Sequence, residues 1–558
     1  MTSKNVYLQQ ITPQIPRMLG LLDRSPHSET YGCFDRAYWL YKTCDTPSAR
    51  YQEAALTLAL LYSREYPESH HHKNKKLLEW VNAALAFWSG IQEKDGSFNE
   101  WYPKERSFVA TAFSSYAVTE CLLTLVDDAT ERDDLLKACR KACTWLTSRI
   151  EERVANQYAG TLPLLYNMYE LTGEEKYRDL ARDNCTTLVS LQSPEGWFPE
   201  YGGADIGYHS VTIDYLAKYH ARSKDGKAAH ALYKAVEFLS LFIHPDDSAG
   251  GVYGSRNTRY IIPDGIEILT KENELARNIA VTLRQGLDKK TLIGPSQLDD
   301  RYLLYNGYTY LQAYDDAVKL GTEDKRVTQQ AAFRNMTDSG LVVVTDSASQ
   351  LIVNVYKGGA FRLGSIDGSS HIEDAGVSVL LKDGSKAASS ILDRNNKTMI
   401  SKEKIETRGV CHKIPSNTLS PGKNILLRGF QTTLGRLPGA SKALKDRLRN
   451  NLIAGDETVQ TTWRREITFR DTEIEINDWI NGLEDIEEIG VGGIFSYISV
   501  PSSHYMSDIT YPQKNLVIRG EEFYKDNKKS TLLVKRRISK DACSLVGFRV
   551  DTLAADSG

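Results

Sequence analysis

Residues 337–356 read Thr-Asp-Ser-Gly-Leu-Val-Val-Val-Thr-Asp-Ser-Ala-Ser-Gln-Leu-Ile-Val-Asn-Val-Tyr. After the turn-forming Thr337-Asp-Ser-Gly340 come two short runs rich in β-branched residues, Gly340–Thr345 and Ser349–Tyr356, and such runs read as strands. Gly376–Leu381, Ile425-Leu-Leu-Arg428 and Glu473–Asn477 repeat the pattern, with Lys382-Asp-Gly384 as a turn between them. Only the Lys-rich stretch 440–451 predicts a helix in this half. Upstream the period changes. Tyr51–Tyr66, Leu77–Ile91, Phe108–Leu125, Leu135–Ile150, Tyr208–Tyr219 and Ala228–Phe242 place apolar residues three and four apart, which predicts amphipathic helices. The chain therefore divides into an α half, residues 1–330, and a β half, residues 331–558.

A chain of 558 residues is long enough to bury its own core without staples. Its 69 Lys and Arg against 72 Asp and Glu leave a net charge of -3, which argues against general nucleic-acid binding but leaves room for a local cationic cleft. No run approaches 18 apolar residues, and Lys4, Gln9, Gln10, Gln14 and Arg17 interrupt the first 22 positions. The expectation is a cytoplasmic chain with no membrane span. Eight cysteines form no CxxC pair and read as buried thiols. GxSxG, HExxH and GxGxxG are all absent, so neither cofactor nor metal is expected.

The α half carries a weak internal repeat. Gln92-Glu-Lys-Asp-Gly96-Ser-Phe98 and Gln192-Ser-Pro-Glu-Gly196-Trp-Phe198 share the form Gln-x3-Gly-x-aromatic, and Gly251-Val-Tyr253 echoes it. Helices are predicted to start shortly after Gly32, Arg106, Gln157, Tyr208, Thr258 and Asp300, the last five roughly 40 to 50 residues apart. Six stacked helical hairpins would make a ring with a funnel at one end. Phe98, Trp101, Tyr102, Trp197, Phe198, Tyr201 and Tyr253 would rim it, as suits sugar rings, unless they only pack the loops.

The densest polar cluster is Glu200-Tyr-Gly-Gly-Ala-Asp205-Ile-Gly-Tyr208-His209. Tyr208 and His209 are expected at a helix start facing the funnel, where the helix dipole favours negative charge. Asn156-Gln157-Tyr158 precedes another helix, and Asn156 reads either as an N-cap or as a ligand-binding amide. Arg256, Asn257 and Arg259 share one loop and could grip a carboxylate. In the β half, Ser370-His371-Ile-Glu373-Asp374 offers one histidine, too few for a recognised metal set.

This arrangement resembles the heparinase II/III-like polysaccharide lyases and the related alginate lyases, most specifically in Gly196-Trp-Phe-x-Glu200 running into Gly207-Tyr208-His209, in the Asn156 loop and in His371. The resemblance implies an incomplete α/α toroid of about six helical hairpins followed by an antiparallel β-sandwich domain. It also implies β-elimination on a uronic-acid-containing polysaccharide or oligosaccharide. Asn156 would neutralise the carboxylate, Tyr208 would act as base or acid, and His371 would reach in from the sandwich. Glu200, Trp101, Trp197, Tyr158, Tyr253 and the Arg256 loop would bind substrate. Where the family often has Asn-His, this chain has Asn156-Gln157. Two other readings stay open: a glycoside hydrolase using a pair drawn from Glu100, Glu200, Asp205 and Asp264, and a non-catalytic carbohydrate-binding protein. A homo-oligomer is compatible with either. Terpene cyclisation is excluded by the missing DxDD and DDxxD motifs and by the large β half.

Overall fold

The computed structural model describes residues 3–321, 324–414, 420–433, 457–493, 516–519 and 530–554; the helix expected at 440–451 lies outside them. Helices fill the first half. Ala54–Ser63, Phe108–Leu125, Thr161–Thr172, Ile206–Ser223, Asp264–Leu269 and Asp300–Asp316 form an inner ring, each packed on the next and the last packed on the first. Their outer partners are Lys75–Gly90, Arg132–Thr147, Glu175–Ser190, Gly226–Ser240 and Glu274–Lys289. Outer helices bury one stripe, as with Leu135, Ala138, Cys139, Ala142, Cys143 and Leu146, whereas Ala54–Ser63 is buried continuously from Ala54 to Tyr62. Phe108–Leu125 is long and apolar enough to cross a bilayer, but 83% of it is enclosed by the ring.

The expected six hairpins resolve into five plus a pair made from distant segments. Among the described residues no helix lies between Asp300–Asp316 and the first strand, and the N-terminal helices Asn5–Ile11 and Ile15–Leu21 pack against it instead. Tyr7 donates to Glu267 Oε1 at 2.5 Å, and Arg284 grips the same carboxylate through Nε and Nη2 at 2.8 and 2.6 Å. All three side chains are buried.

The Gln-x3-Gly-x-aromatic repeat is a joint between hairpins. Gln92 Nε2 donates to Gly96 O at 3.1 Å and to Ala138 O at 2.8 Å; Gln192 Nε2 donates to Gly196 O at 2.8 Å and to Ala231 O at 2.9 Å. Each glycine has positive φ and lies so close to the next outer helix that a Cβ would overlap the carbonyl of Lys141 or Lys234. The aromatics then pack inward. Phe98 stacks on Trp88 at 4.6 Å between centroids, and Phe198 is fully buried.

The last toroid helix ends at Asp316 and the first strand begins at Ala332. Strands β1 (Ala332–Met336), β2 (Leu341–Thr345), β3 (Ser349–Asn354), β4 (Ala360–Ser365) and β5 (His371–Asp374) pair in chain order. The second sheet contains β6 (Val377–Leu381), β7 (Lys386–Ala388), β8 (Lys397–Ile400), β9 (Lys404–Lys413), β10 (Thr458–Phe469), β11 (Glu473–Asn481), β12 (Ile486–Val491), β13 (Leu516–Arg519), β14 (Ser530–Ser539) and β15 (Leu545–Ala554). Its order is β13-β12-β6-β7-β9-β10-β11-β14-β15, with β8 on β9. Among these named strands every pairing is antiparallel.

The period of two explains the layering. Leu341, Val343 and Ile352 join the toroid core, while Val342, Leu351 and Val353 face Ile405, Ile467 and Ile476 of the second sheet. The first sheet is thus covered on both faces, and the molecule has three layers. One expectation fails. Ile425–Arg428 is not a strand but part of the helix Pro421–Thr432, which Ser420 caps by accepting from Lys423 N, with Pro421 at its first position. That Ser-Pro start outweighs a short apolar run in which only Ile425 is β-branched.

Between the sheets, two arginines and two aspartates close an ionic square. Arg465 reaches Asp374 at 2.8 Å and Asp478 at 2.6 Å; Arg536 reaches Asp374 at 2.6 Å and Asp478 at 2.7 Å. Burial pushes the Asp374 carboxyl up, but the two guanidiniums hold it below the ordinary carboxylate value. Its contribution is therefore complete above that ordinary value and is lost as pH falls through the depressed one. Replacing Arg465 by Met leaves two buried carboxylates sharing the single cation of Arg536, and we expect a loss of about 3–5 kcal/mol in urea unfolding at neutral pH, with a smaller difference in acid.

Candidate active site

Asp205 builds the site. It caps the helix Ile206–Ser223 by accepting from Tyr208 N at 3.1 Å, and the same carboxylate accepts from Arg256 N at 2.9 Å, Thr258 N at 3.4 Å and Thr258 Oγ1. Thr258 Oγ1 in turn accepts from Gly207 N at 2.8 Å, and a Cβ on Gly207 would overlap it. The loop bearing Arg256–Arg259 is thereby fastened to the helix that carries Tyr208. From the sandwich side, Lys357 Nζ donates to Val252 O at 2.7 Å, Gly254 O at 2.5 Å and Asn257 Oδ1. Burial pushes this amine down to about 7.

A tyrosine-walled recess lies among the inner helices, with Asn156, Tyr208, Tyr260, Tyr302, Tyr305 and Tyr308 in its wall. The Tyr208 and Tyr302 hydroxyls are 3.0 Å apart. Asp299 accepts from Tyr302 N at 2.7 Å and so starts the helix that presents Tyr302, Tyr305 and Tyr308. Two guanidiniums adjoin these tyrosines, Arg50 within the wall and Arg301 outside it. Arg50 lies 3.7 Å from the Tyr305 ring centroid, and Arg301 lies 5.5 Å from that of Tyr302 and 4.4 Å from that of Trp101. The enclosed space is only about 30 Å³, roughly one water, so any larger ligand would lie across the mouth.

Asn156, 3% exposed, sits in the short helix Ala155–Ala159. Its backbone N, at 3.1 Å, and its side-chain Nδ2, at 2.6 Å, both donate to Glu200 Oε1. Glu200 is fully buried, and its Oε2 has no hydrogen-bond partner among the described residues. Burial pushes its carboxyl up to about 8; hydrogen bonds from Asn156 oppose this, Asp205 adds to it and Arg256 subtracts.

Of the residues singled out from sequence, Asn156 and Tyr208 meet in this recess. His209 does not. Successive helix residues diverge by about 100°, so with Tyr208 facing the axis His209 turns outward. Its Nε2 is 3.0 Å from Ala235 O, Phe238 packs on it, and burial lowers it to about 4. Three aromatics also pack rather than line the recess: Tyr158 donates to Asn184 Oδ1 at 3.0 Å, Trp197 to Glu195 Oε2 at 3.2 Å, and Tyr253 pairs with His244 at 2.8 Å. Of the four aromatics expected to bind substrate, Trp101 alone is open to solvent, at 58%.

The cations of the 256–259 loop are engaged elsewhere. Arg256 stacks on Tyr201 at 4.3 Å, and Arg259 pairs with Glu373. His371 lies at the toroid–sandwich seam, its Nδ1 3.4 Å from Asp246, and burial keeps it below the ordinary imidazole value. None of these three belongs to the recess wall. Sequence reading missed Arg50, Arg301, Tyr302 and Tyr305. The three-residue spacing of Tyr302, Tyr305 and Tyr308 was the signal that could have found the tyrosines.

No family model matches the chain, and no curated protein does. Solved structures do. A Paenibacillus xanthan lyase superposes with TM-score 0.55 at 12% identity, over 88% of this chain and 48% of that one. A Streptomyces coelicolor A3 chondroitin AC lyase gives TM-score 0.51 at 11% identity, over 88% of this chain and 68% of that one. The chain thus spans about half the length of the xanthan lyase. It has the toroid-plus-sandwich fold of these polysaccharide lyases.

Removing the Asp205 carboxylate leaves donors of two segments unpaired in the interior. We expect Asp205→Ala to cost about 3–5 kcal/mol, more than the roughly 1 kcal/mol of an ordinary N-cap. Amide hydrogen exchange should rise together at the start of Ile206–Ser223 and in residues 254–258, while Lys75–Gly90 stays protected.

Proposed function

We propose that this chain is a lyase that cleaves a uronic-acid-containing polysaccharide or oligosaccharide by β-elimination. The observation that carries the reading is the wall of the recess, where an asparagine carboxamide shares one small space with two hydrogen-bonded tyrosine hydroxyls, Tyr208 and Tyr302. The fold shared with a xanthan lyase and a chondroitin AC lyase supports elimination as the reaction class.

The C5 proton of a uronate is weakly acidic, and its removal places charge on the adjacent carboxylate. Asn156 would stabilise that charge by hydrogen bonding. Tyr208 would take the proton, as phenolate or in concert with its transfer onward. Burial raises the wall tyrosine Tyr305, and Arg301 and Arg50 offset part of that rise, Arg50 being itself paired with Glu53 at 2.7 Å. Tyr302, one hydrogen bond from Tyr208, replaces His371 as the second group able to protonate the departing C4 oxygen. Trp101, exposed and stacked on Arg301, offers a face for a neighbouring sugar.

Hydrolysis by opposed carboxylates is less well served. Glu100, Glu200, Asp205 and Asp264 are all buried and absent from the recess wall. Asp214, the wall's one carboxylate among the described residues, is held by Lys218 at 2.7 Å and Gly265 N at 2.9 Å.

Xanthan, chondroitin sulphate and a wider panel of uronate polymers should be read by ultraviolet absorbance and by reducing ends in parallel. Elimination gives both signals, because it conjugates a C4–C5 double bond with the carboxylate. Reducing ends without absorbance mean hydrolysis, and binding with neither signal means a carbohydrate-binding protein. Tyr208→Phe should lower kcat about 100-fold or more with little change in binding. Asn156→Ala should cost about 3 kcal/mol of transition-state stabilisation, measured from kcat/KM.

A further inference from the structure

We infer that Glu200 is a positioning residue: as a neutral acid it holds the carbonyl end of the Asn156 carboxamide and turns the NH2 end to the recess. The inference rests on the lyase reading, in which Asn156 must donate to a substrate carboxylate. A carboxamide presents a donor at one end and an acceptor at the other, and its hydrogen-bond partner decides which end faces where. An ionised Glu200 only accepts. It would take the NH2 for itself and aim Asn156 Oδ1 at the recess, where that oxygen would oppose an incoming carboxylate.

Two observations favour the opposite arrangement, and a third is compatible with it. As drawn it is Asn156 Nδ2 that stands 2.6 Å from Glu200 Oε1, a spacing short for N–H to O but ordinary for O–H to O once the two ends of the amide are exchanged. The same Oε1 lies 3.1 Å from Asn156 N, and a hydroxyl can accept from that N–H while donating to Oδ1. Glu200 Oε2 is buried without a partner, a modest cost for a neutral carbonyl and a large one for an ionised carboxylate.

The charged groups acting on Glu200 are Asp205 from its own segment and Arg256 from the facing loop, while Lys357 from the sandwich acts on both of these. Their balance leaves the Glu200 carboxyl at about 8, burial being the main cause. Carboxylate recognition is therefore present below about 8 and lost as pH rises through it. Asn156 is the element that flips.

Neutron diffraction on deuterium-exchanged crystals of the full chain, grown well below and well above pH 8, tests this without any substrate. At the lower pH a deuteron should lie between Glu200 and Asn156 Oδ1, with ND2 facing the recess; at the higher pH the amide should be reversed. ND2 facing Glu200 at the lower pH overturns the inference whatever the enzyme does.

Glu200→Gln gives the kinetic test. A glutamine oxygen in place of Oε1 accepts from both Asn156 N–H and NH2 and cannot donate back, so the variant mimics the ionised state. On xanthan or chondroitin sulphate, whichever the wild type cleaves, kcat/KM at pH 6 should fall about 100-fold, the effect of one lost oxyanion donor. The wild-type decline near pH 8 should be absent in the variant. Lys357 titrates in the same window and is untouched in the variant, so a decline that survives in Glu200→Gln overturns the assignment. So does wild-type activity in a folded Glu200→Gln. If the wild type cleaves no uronate polymer, the lyase reading fails, and the neutron result alone decides the amide.

Discussion

The carboxylate of Asp205 is the constraint on which the recess depends. It gathers donors from two segments about fifty residues apart, and four bonds converge on one buried group. This is why Gly207 and Gly254 tolerate no side chain beside it: a Cβ on either would crowd Thr258 or Asp205 itself. The direction of Tyr208, the path of the 254–258 loop and the seat of the sandwich lysine Lys357 are then different views of the same arrangement. Since the loop is bonded to the helix on one side and to Lys357 on the other, the toroid and the sandwich share a segment rather than merely touch.

Charge in this molecule is organised by pairing in the interior and by aromatic shielding at the recess. The Arg465–Arg536–Asp374–Asp478 square and the Tyr7–Glu267–Arg284 triad are closed sets that expose no chemistry. At the recess Arg50 is part of the wall and lies against the Tyr305 ring, while Arg301 stands behind the ring of Tyr302. A low-dielectric wall of this kind strengthens fixed hydrogen bonds to developing charge.

Much of the architecture was legible in the residues. The switch from a period of 3.6 to one of two near residue 335 marks the change from toroid to sandwich, and the repeat gave the ring. The repeat's aromatics were misread, because Gln-x3-Gly-x-aromatic describes a joint whose glycine packs on a neighbouring helix and drives Phe98 and Phe198 inward. Single-residue roles were harder. Tyr208 and His209 are adjacent in sequence but face the axis and an outer helix respectively, a distinction set by helical phase alone. Arg256 and Arg259 found partners, Tyr201 and Glu373, that no local pattern announces. Tyr302 was missed because its partner lies 94 positions away, and only the fold brings the two hydroxyls together.

The way the ring closes bears on the order in which it can assemble. Helix Asn5–Ile11 is made well before the elements it packs on: its polar anchor Glu267 lies 260 positions on, and Lys4 bonds to Tyr314 O across 310. A chain emerging from the ribosome would thus carry Val6, Leu8 and Ile11 uncovered until Asp300–Asp316 is synthesised. Loop-closure entropy over such a span grows only slowly with length, so the delay costs little in final stability and much in time. The nascent protein's exposure to aggregation, and its dependence on chaperones, would be concentrated in that interval.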